Sequence, residues 1–310
     1  MVNILPLIIG TSELGFIYAI MALGVFMSYR TLNTPDLTVD GSFVTGAAVS
    51  IVFTILGSPA LGILMAFVVG LIAGCLTALI TTKLKVAALL SGILMMLALY
   101  SINLHIMGLM SKVNKMGAPT LTLSKTEKTI FSFVDSLKIQ MGTQTLSFGK
   151  IIITVVALVI VLILLLLFLK TKLGLGLRAT GDNEVMVRAS GVDTDKMKII
   201  GMAISNGLVA LSGGILAQYN RSSDINMGTG MVVIGLASVI IGEVIFGTSN
   251  VVRRLIAVGL GAVVYRAVIA VAIQLGMPAA DLKLMSALIV LFALSAPMLK
   301  GKLKLGGKNA

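Results

Sequence analysis

The sequence has few of the residues from which soluble enzymes build their sites. It has one cysteine, Cys75, one histidine and only 12% charged residues among 310. A single cysteine excludes a disulfide framework or a cysteine-based metal cluster within the chain. Soluble domains carry about a quarter charged residues, so the low charge content excludes an ordinary soluble domain. No P-loop, nucleophile–base pair or metal-ligand set occurs in the sequence. We therefore expect a chain that is not an enzyme and that binds no metal or cofactor itself.

Apolar sequence is abundant, at 57% of the residues. The apolar runs are long enough to cross a bilayer at about 1.5 Å per residue. Nine of them lie near 12–29, 41–56, 60–81, 86–108, 150–169, 199–218, 230–247, 254–275 and 283–299. We expect an all-α polytopic integral membrane protein with about nine transmembrane or broken helices, in a single transmembrane domain over 1–310.

Basic residues outnumber acidic ones by 24 to 12. In a soluble protein this excess would suggest nucleic-acid binding. Here the basic residues cluster at the ends of apolar runs, which is typical of cytoplasmic loops that face anionic lipid headgroups. We therefore expect the basic residues to contact the lipid bilayer, and we expect no nucleic-acid partner.

The same charges predict the orientation of the chain. If segment 170–198 is cytoplasmic, most basic residues of the short loops also lie inside. These residues are Arg30, Lys83, Lys85, Arg253, Arg254, Lys300, Lys302, Lys304 and Lys308. The long connection 109–149 is then an extracytoplasmic loop, with room for a short helix or hairpin. This prediction places the N-terminus outside and the C-terminus inside.

Segment 170–198 is a polar stretch between two long apolar runs. Asp182 or Asn183 can accept the free N–H groups of a first helical turn, and the apolar and basic run Val185–Ala189 follows. This pattern predicts a short capped helix in water, within a loop whose two ends are fixed to membrane spans.

The segment and the span after it resemble a known family. The pattern is Arg178-Ala179, then Gly181 with Asn183, then Ala189-Ser190-Gly191-Val192, followed by ISNGLVALSGGILAQ. It is similar to the coupling loop and next span of permeases of the branched-chain amino acid and ribose type, which are membrane subunits of ATP-binding-cassette importers. The stretches DLTVDGSF and SGILMMLALYSINLHIMG resemble a subgroup described as tryptophan/tyrosine or uncharacterised-substrate permeases. His105 stands where that subgroup often has arginine.

The resemblance implies a multi-pass subunit of a bacterial plasma membrane that works with several partners. Separate ATPase subunits would use ATP and Mg and contact a cytoplasmic coupling helix. An extracytoplasmic binding protein, lipid-anchored or free, would deliver a small polar solute, with an aromatic amino acid suggested by the subgroup. A second permease copy would pair with it across the membrane, by default as a homodimer, and a second, different permease chain is the alternative. The expected ATPase contacts are Arg178, Gly181, Asp182, Asn183, Glu184, Arg188 and Gly191.

Polar residues within or beside the apolar runs are candidates for a substrate path or gate, because such residues are costly in lipid. They are Asp36, Ser91, Asn103, His105, Ser205, Asn206, Glu243 and Arg266. Glu243 and Arg266 lie in neighbouring predicted spans, and we hypothesise that they form an ion pair. The alternative is that each side chain reaches a membrane interface separately.

Two segments of the chain are alike. Asp36 and Asp224 each lead a polar stretch that opens a short membrane segment rich in small residues. On the predicted topology the two segments open on opposite sides, which is typical of transporters built from inverted repeats with interrupted helices. The alternative is two ordinary capped span starts.

An ion-coupled secondary carrier is a competing function, because it would also have interrupted helices and intramembrane acids. Glu243 and Asp36 would then be the coupling sites. The substrate is a second open question, since selectivity in binding-protein-dependent import lies mostly in the receptor. A sugar, a nucleoside and a branched-chain amino acid therefore remain alternatives to an aromatic amino acid.

Overall fold

A computed structural model describes residues 4–111, 117–133, 138–141, 144–278, 281, 284–292 and 295. Long α-helices make up most of this part of the chain. They are α1 (Ile4–Val25), α2 (Thr38–Ile55), α3 (Pro59–Thr82), α4 (Ala88–Leu109), α5 (Phe148–Lys170), α6 (Lys172–Asp182), α7 (Glu184–Ala189), α8 (Thr194–Asn220), α9 (Met231–Phe246) and α10 (Val251–Gln274). A π-helical turn, Phe26–Thr31, continues α1.

Eight helices within the described residues are long and apolar enough to cross a membrane. They confirm the all-α polytopic fold and the first eight predicted spans. For example, the prediction 60–81 corresponds to α3, Pro59–Thr82, and the prediction 150–169 to α5, Phe148–Lys170. The ninth predicted span, 283–299, falls partly outside the described residues, and its described stretch 284–292 is helical.

Helix α8 is the centre of the bundle and packs against α1, α2 and α3. Gly70 of α3 faces it, and a Cβ at that position would come within 2.5 Å of both the Ala210 Cβ and the Asn206 carbonyl oxygen. Only glycine permits so close an approach of the two backbones. Close backbone packing matters in lipid, where burial of apolar surface does not drive helices together.

The bundle has two ends, which we name by their contents. The loop end carries α6 and α7. The sheet end carries β1 (Thr120–Thr122), which pairs antiparallel with β4 (Ser222–Asp224). A 3₁₀ turn at Ile130–Phe133 and a hairpin of β2 (Lys138–Met141) and β3 (Gln144–Ser147) precede α5. The connection 109–149 therefore contains both a short helix and a hairpin, where the sequence predicted room for one or the other. Residues 112–116, 134–137 and 142–143 of this connection lie outside the described residues.

Helices α2 and α9 are the shortest of the membrane-spanning helices in the described part of the chain. They begin beside each other, because the Asp40 carboxylate in the first turn of α2 accepts the backbone N–H groups of Gly230 and Val232 at 2.9 Å each. From this meeting point α2 runs to the sheet end and α9 to the loop end.

The stretches before α2 and α9 also share a local geometry. Asp36 Oδ1 accepts the N–H of Thr38 at 2.8 Å, and Asp224 Oδ1 accepts the N–H of Asn226 at 2.7 Å. A 3₁₀ turn, Ile225–Gly228, separates Asp224 from α9, whereas α2 begins two residues after Asp36. The opposite directions of α2 and α9 fit an inverted repeat, which stays a prediction.

Candidate functional site

Segment 170–198 folds into two helices, α6 and α7, and the first turn of α8. Each helix begins with a side-chain cap. Thr171 Oγ1 accepts the N–H of Gly174 at 3.2 Å, Asn183 Oδ1 accepts that of Met186 at 3.0 Å, and Asp193 Oδ1 accepts that of Lys196 at 3.1 Å. The predicted helix start at Asp182 or Asn183 is confirmed at Asn183. The prediction of a single short helix missed α6, whose polar and glycine-rich sequence gave little helical signal.

Charged groups fix α7 to the start of α8. Glu184 accepts hydrogen bonds from Lys198 Nζ at 2.7 Å and from Arg188 Nη2 at 3.2 Å. Arg188 Nη2 also donates to Thr194 Oγ1 at 2.8 Å. The Lys198 hydrogen bond is the main cause that lowers the pKa of Glu184 below its ordinary 4.5. Glu184 and Arg188 thus hold the loop together, and their predicted contact with an ATPase stays a prediction.

The turn from α7 into α8 passes through Gly191, whose φ is +82°. This left-handed conformation favours glycine over any residue with a Cβ. Gly191 therefore has a structural role in orienting α7 relative to α8, and its predicted partner contact is untested.

Helix α6 lies directly on the π-helical turn that ends α1. The α-carbon of Gly181 comes so close to Thr31 that a Cβ there would overlap the Thr31 carbonyl oxygen and lie 2.9 Å from its carbon. Leu177, one turn earlier on α6, is fully buried and packs toward Gly201 of α8. A movement of α6 therefore cannot leave the end of α1 unchanged.

The surface of α7 carries two exposed apolar side chains as well as the exposed Arg188. Val185 is 79% exposed and Met186 is 60% exposed, although both lie in a polar, charged segment. At the same end of the bundle, a small crevice is lined by Arg30, Arg178 and Arg254 together with Asp182. The loop end therefore presents two exposed apolar side chains on α7 and a basic crevice.

Two of the predicted path residues, Asp36 and Asn206, are hydrogen-bonded to each other inside the bundle. Asp36 is 5% exposed, and its Oδ2 accepts a hydrogen bond from Asn206 Nδ2 at 2.6 Å. Asn206 Oδ1 accepts a hydrogen bond from Ser42 Oγ at 2.7 Å. Asn206 lies 12 residues after the first residue of α8, about 18 Å along that helix. The start of α2 is therefore held deep in the bundle by a buried polar network.

The other predicted path residues lie in different surroundings. Ser205 Oγ donates to the Gly24 carbonyl at 2.7 Å and bridges α8 to α1. Ser91 is fully buried in the first turn of α4. The exposed His105 ring contacts the Ser101 carbonyl at 2.8 Å through Nδ1, so these two residues share a helix face as their spacing predicts. Asn103 is buried on α4 and donates to the Gly41 carbonyl at 3.3 Å.

The hypothesised pair of Glu243 with Arg266 is wrong. Glu243 pairs instead with Arg30, with Nε and Nη2 donating to its carboxylate at 2.7–3.0 Å. Arg266 lies over the ring of Tyr18, 5.1 Å from its centroid. Glu243 sits one turn from the end of α9, so it reaches the loop end, where the π-helical turn carries Arg30.

Sequence reasoning missed three residues that the structure makes prominent. Arg30 had been assigned only to a basic loop, and Asp40 lay within the quoted stretch DLTVDGSF without being singled out. Glu13 is 4% exposed and accepts a hydrogen bond from Tyr219 at 2.8 Å. An acidic residue inside an apolar run is the signal that could have found Glu13 and Asp40.

Comparison with known proteins gives three informative relatives and one family. The family model described as the permease component of branched-chain amino acid transport systems matches residues 7–294. A tyrosine transport system permease protein of Clostridioides difficile (strain R20291) is 39% identical over 96% of this chain and 93% of the relative. An uncharacterised protein of Rickettsia prowazekii (strain Madrid E) is 33% identical over 94% of this chain and 97% of its own length.

A more distant relative is a probable branched-chain amino acid transport permease protein of Methanocaldococcus jannaschii. It is 26% identical over 64% of this chain and 61% of its own length. No solved structure matches the chain.

Proposed function

This chain belongs to the family of permease components of branched-chain amino acid transport systems, and we propose that its substrate is an aromatic amino acid, tyrosine first. It is the membrane-spanning permease subunit of an ATP-binding-cassette importer. Partner ATPases would bind ATP and Mg and would supply the energy. An extracytoplasmic binding protein would supply the solute.

The exposed apolar side chains of α7 carry the proposal that an ATPase docks at the loop end, and the tyrosine permease relative supports the proposed substrate. Val185 and Met186 are adjacent and largely exposed, which suits a helix that docks into a groove of a partner. The ion pairs of Glu184 with Lys198 and of Arg188 with Asp195 hold α7 against α8, so force on α7 would move α8 as a rigid body. We propose that the ATPase groove closes on the two apolar side chains.

A route from the loop end into the bundle follows from the packing of α6. Displacement of Gly181 would press on Thr31 and on the following residues, which lead to Asp36. Asp36 is hydrogen-bonded to Asn206 on α8. Movement of segment 170–198 would also move α8. The start of α2 would therefore be displaced from two sides in one ATP-driven step, and this displacement would produce alternating access.

A second copy of the chain, by default a homodimer, would cover the exposed face of α4. That face carries Ser101 and His105, which lipid would solvate poorly. Pairing across such a face would place its polar groups along a path between two subunits.

The assembly is tested by reconstituting the permease in proteoliposomes with its ATPase and binding protein. Uptake of radiolabelled L-tyrosine should require all three components and ATP. Val185→Asp should reduce both ATPase co-purification and uptake by about tenfold or more, because it places a charge in the apolar centre of the contact. The matched control is Leu275→Asp, an 84% exposed apolar residue just after α10, at the sheet end, which should leave both unchanged.

Uptake that persists without the ATPase and follows a proton or sodium gradient would contradict the proposal and support a secondary carrier. A complete assembly that imports a sugar, a nucleoside or a branched-chain amino acid, but no aromatic amino acid, would contradict only the substrate.

The orientation is tested separately, because Cys75 is the single cysteine of the chain. In a Cys75→Ser background, Lys125→Cys should react with an impermeant thiol reagent in intact cells. Ser190→Cys, directly after α7, should react only after the membrane is opened. The opposite pattern would place the loop end outside and would contradict docking of a cytoplasmic ATPase there.

A further inference from the structure

A cavity of about 240 Å³ lies where α4 passes the adjoining starts of α2 and α9. Its polar lining consists of Asp40, Tyr100, Asn103, Asn226 and Thr229. The rest of the wall is apolar side chains and two glycines. Small-molecule pockets have volumes of about 300–1,000 Å³, so this cavity suits one small solute.

Asn103 gives the cavity an acceptor without a partner. The residue is 1% exposed, and its Nδ2 donates to the Gly41 carbonyl at 3.3 Å. That bond fixes the amide orientation, because the reverse orientation would place two acceptor oxygens together. Asn103 Oδ1 then has no hydrogen-bond partner among the described residues. A buried acceptor of this kind is destabilising unless a donor enters the cavity.

Asp40, on α2, adds a carboxylate to the cavity lining. Its carboxylate accepts the N–H groups of Gly230 and Val232 from the start of α9, one on each oxygen. Each carboxylate oxygen has a second lone pair, so both remain able to accept from a ligand. With Asn103 Oδ1, the cavity lining offers hydrogen-bond acceptors from α2 and α4, and an ammonium group has three N–H donors for such acceptors.

We infer that this cavity binds the ammonium group of an α-amino acid during transport, through Asn103 Oδ1 and the Asp40 carboxylate. The apolar wall, which includes Val44, Met96 and Leu97, would take the side chain of the amino acid. This assignment rests on the proposed import function and adds a substrate site within the permease itself. Because the cavity forms where α2 and α9 begin, movement of either helix would open or close it.

The test uses the purified permease–ATPase complex without binding protein, with radiolabelled L-tyrosine and L-leucine as probes. Saturable binding should be displaced by tyramine, which keeps the ammonium group. The analogue 3-(4-hydroxyphenyl)propionate, which lacks it, should compete about 10- to 100-fold less well, because a hydrogen bond to a charged group contributes a factor of that size. Equal competition by the two analogues, or no saturable binding of either amino acid, would overturn the inference.

Asn103→Leu removes the acceptor at similar volume and should weaken binding of the probe by at least about tenfold. The matched control is Ser223→Ala, because Ser223 Oγ is also buried without a partner among the described residues but lies outside the cavity lining. It should leave binding unchanged. Equal binding by the two variants would refute the role of Asn103, and binding of radioactive sodium that neither amino acid displaces would assign the cavity to an inorganic cation.

The inference and the proposed function fail in different ways. ATP-driven uptake without ammonium-dependent binding to the permease would refute the substrate site but not the proposed importer function. Ammonium-dependent binding together with uptake that needs no ATPase would support the substrate site and refute the proposed importer function.

Discussion

Replacement of Gly181 by alanine should separate α6 from the π-helical turn at Thr31. A Cβ at this position would overlap the Thr31 carbonyl oxygen, which is backbone and cannot rotate away. Overpacking of this kind costs about 1–3 kcal/mol, while alanine in a helix gains up to about 1 kcal/mol over glycine. We therefore expect the docked position of α6 to be destabilised, although the helix itself becomes more stable.

Gly176→Ala is the matched control, because it lies on the same helix and gains the same helix propensity. Its added Cβ would meet only the flexible Met197 side chain, with Sδ at 3.3 Å. The difference between the two variants therefore isolates the contact with Thr31. It should amount to about 1–3 kcal/mol, or about 5- to 150-fold in the docked fraction of α6.

The assay compares two quantities in reconstituted vesicles: solute imported per ATP hydrolysed, and hydrogen exchange of the α6 amides. Gly181→Ala should lower the first and raise the second, while the spans still fold and insert. Gly176→Ala should match the unsubstituted protein. If Gly181→Ala imports solute with unchanged coupling and unchanged exchange, α6 does not transmit force through Thr31 and the proposed route is wrong.

Three further outcomes are expected. Arg30→Met should lower the free energy of unfolding by about 1–3 kcal/mol in thermal unfolding, since it leaves the 8% exposed Glu243 carboxylate unpaired. Adding Glu243→Gln should restore most of the lost stability, and strictly additive losses would contradict the pairing. Asn206→Ala should cost about 3 kcal/mol by the same measurement, because it leaves Oδ2 of the buried Asp36 carboxylate without its hydrogen-bond donor. A loss below about 1 kcal/mol would refute the network. The pKa of Glu184 is lowered from 4.5, chiefly by Lys198, so the attachment of α7 should be complete above about pH 4.5 and weaken as pH falls below it. A spin label on α7 should detect this change, and Glu184→Gln should abolish the pH dependence.

The sequence predicted the spans well because the signal for a membrane helix is local. An apolar run of sufficient length needs no partner to be recognised, and α3 and α5 end within two residues of their predicted bounds. The cap at Asn183 was likewise readable, since its hydrogen bond spans only three residues. Helix α6 was missed because its stability comes from packing of Leu177 and Gly181 on the bundle rather than from its own sequence.

Contacts between distant parts of the chain could not be read from the sequence. Glu243 and Arg266 are in neighbouring spans, which made them plausible partners, but the rotation and depth of α9 direct Glu243 to Arg30, 213 residues away. Asp40 was one acidic residue in a quoted stretch, and only the meeting of α2 with α9 gives it a partner.

By itself, the sequence determined that this chain spans a membrane many times and where most spans begin and end. It also determined that segment 170–198 is a capped polar loop and which family it resembles. The tertiary structure alone decided that α7 exposes two apolar side chains, that α6 packs on Thr31, and that Asp40 and Asn103 line one cavity. The physical reason is that hydrophobic length and capping are properties of neighbouring residues, whereas partner choice depends on helix depth and rotation, which the packing of the whole bundle sets.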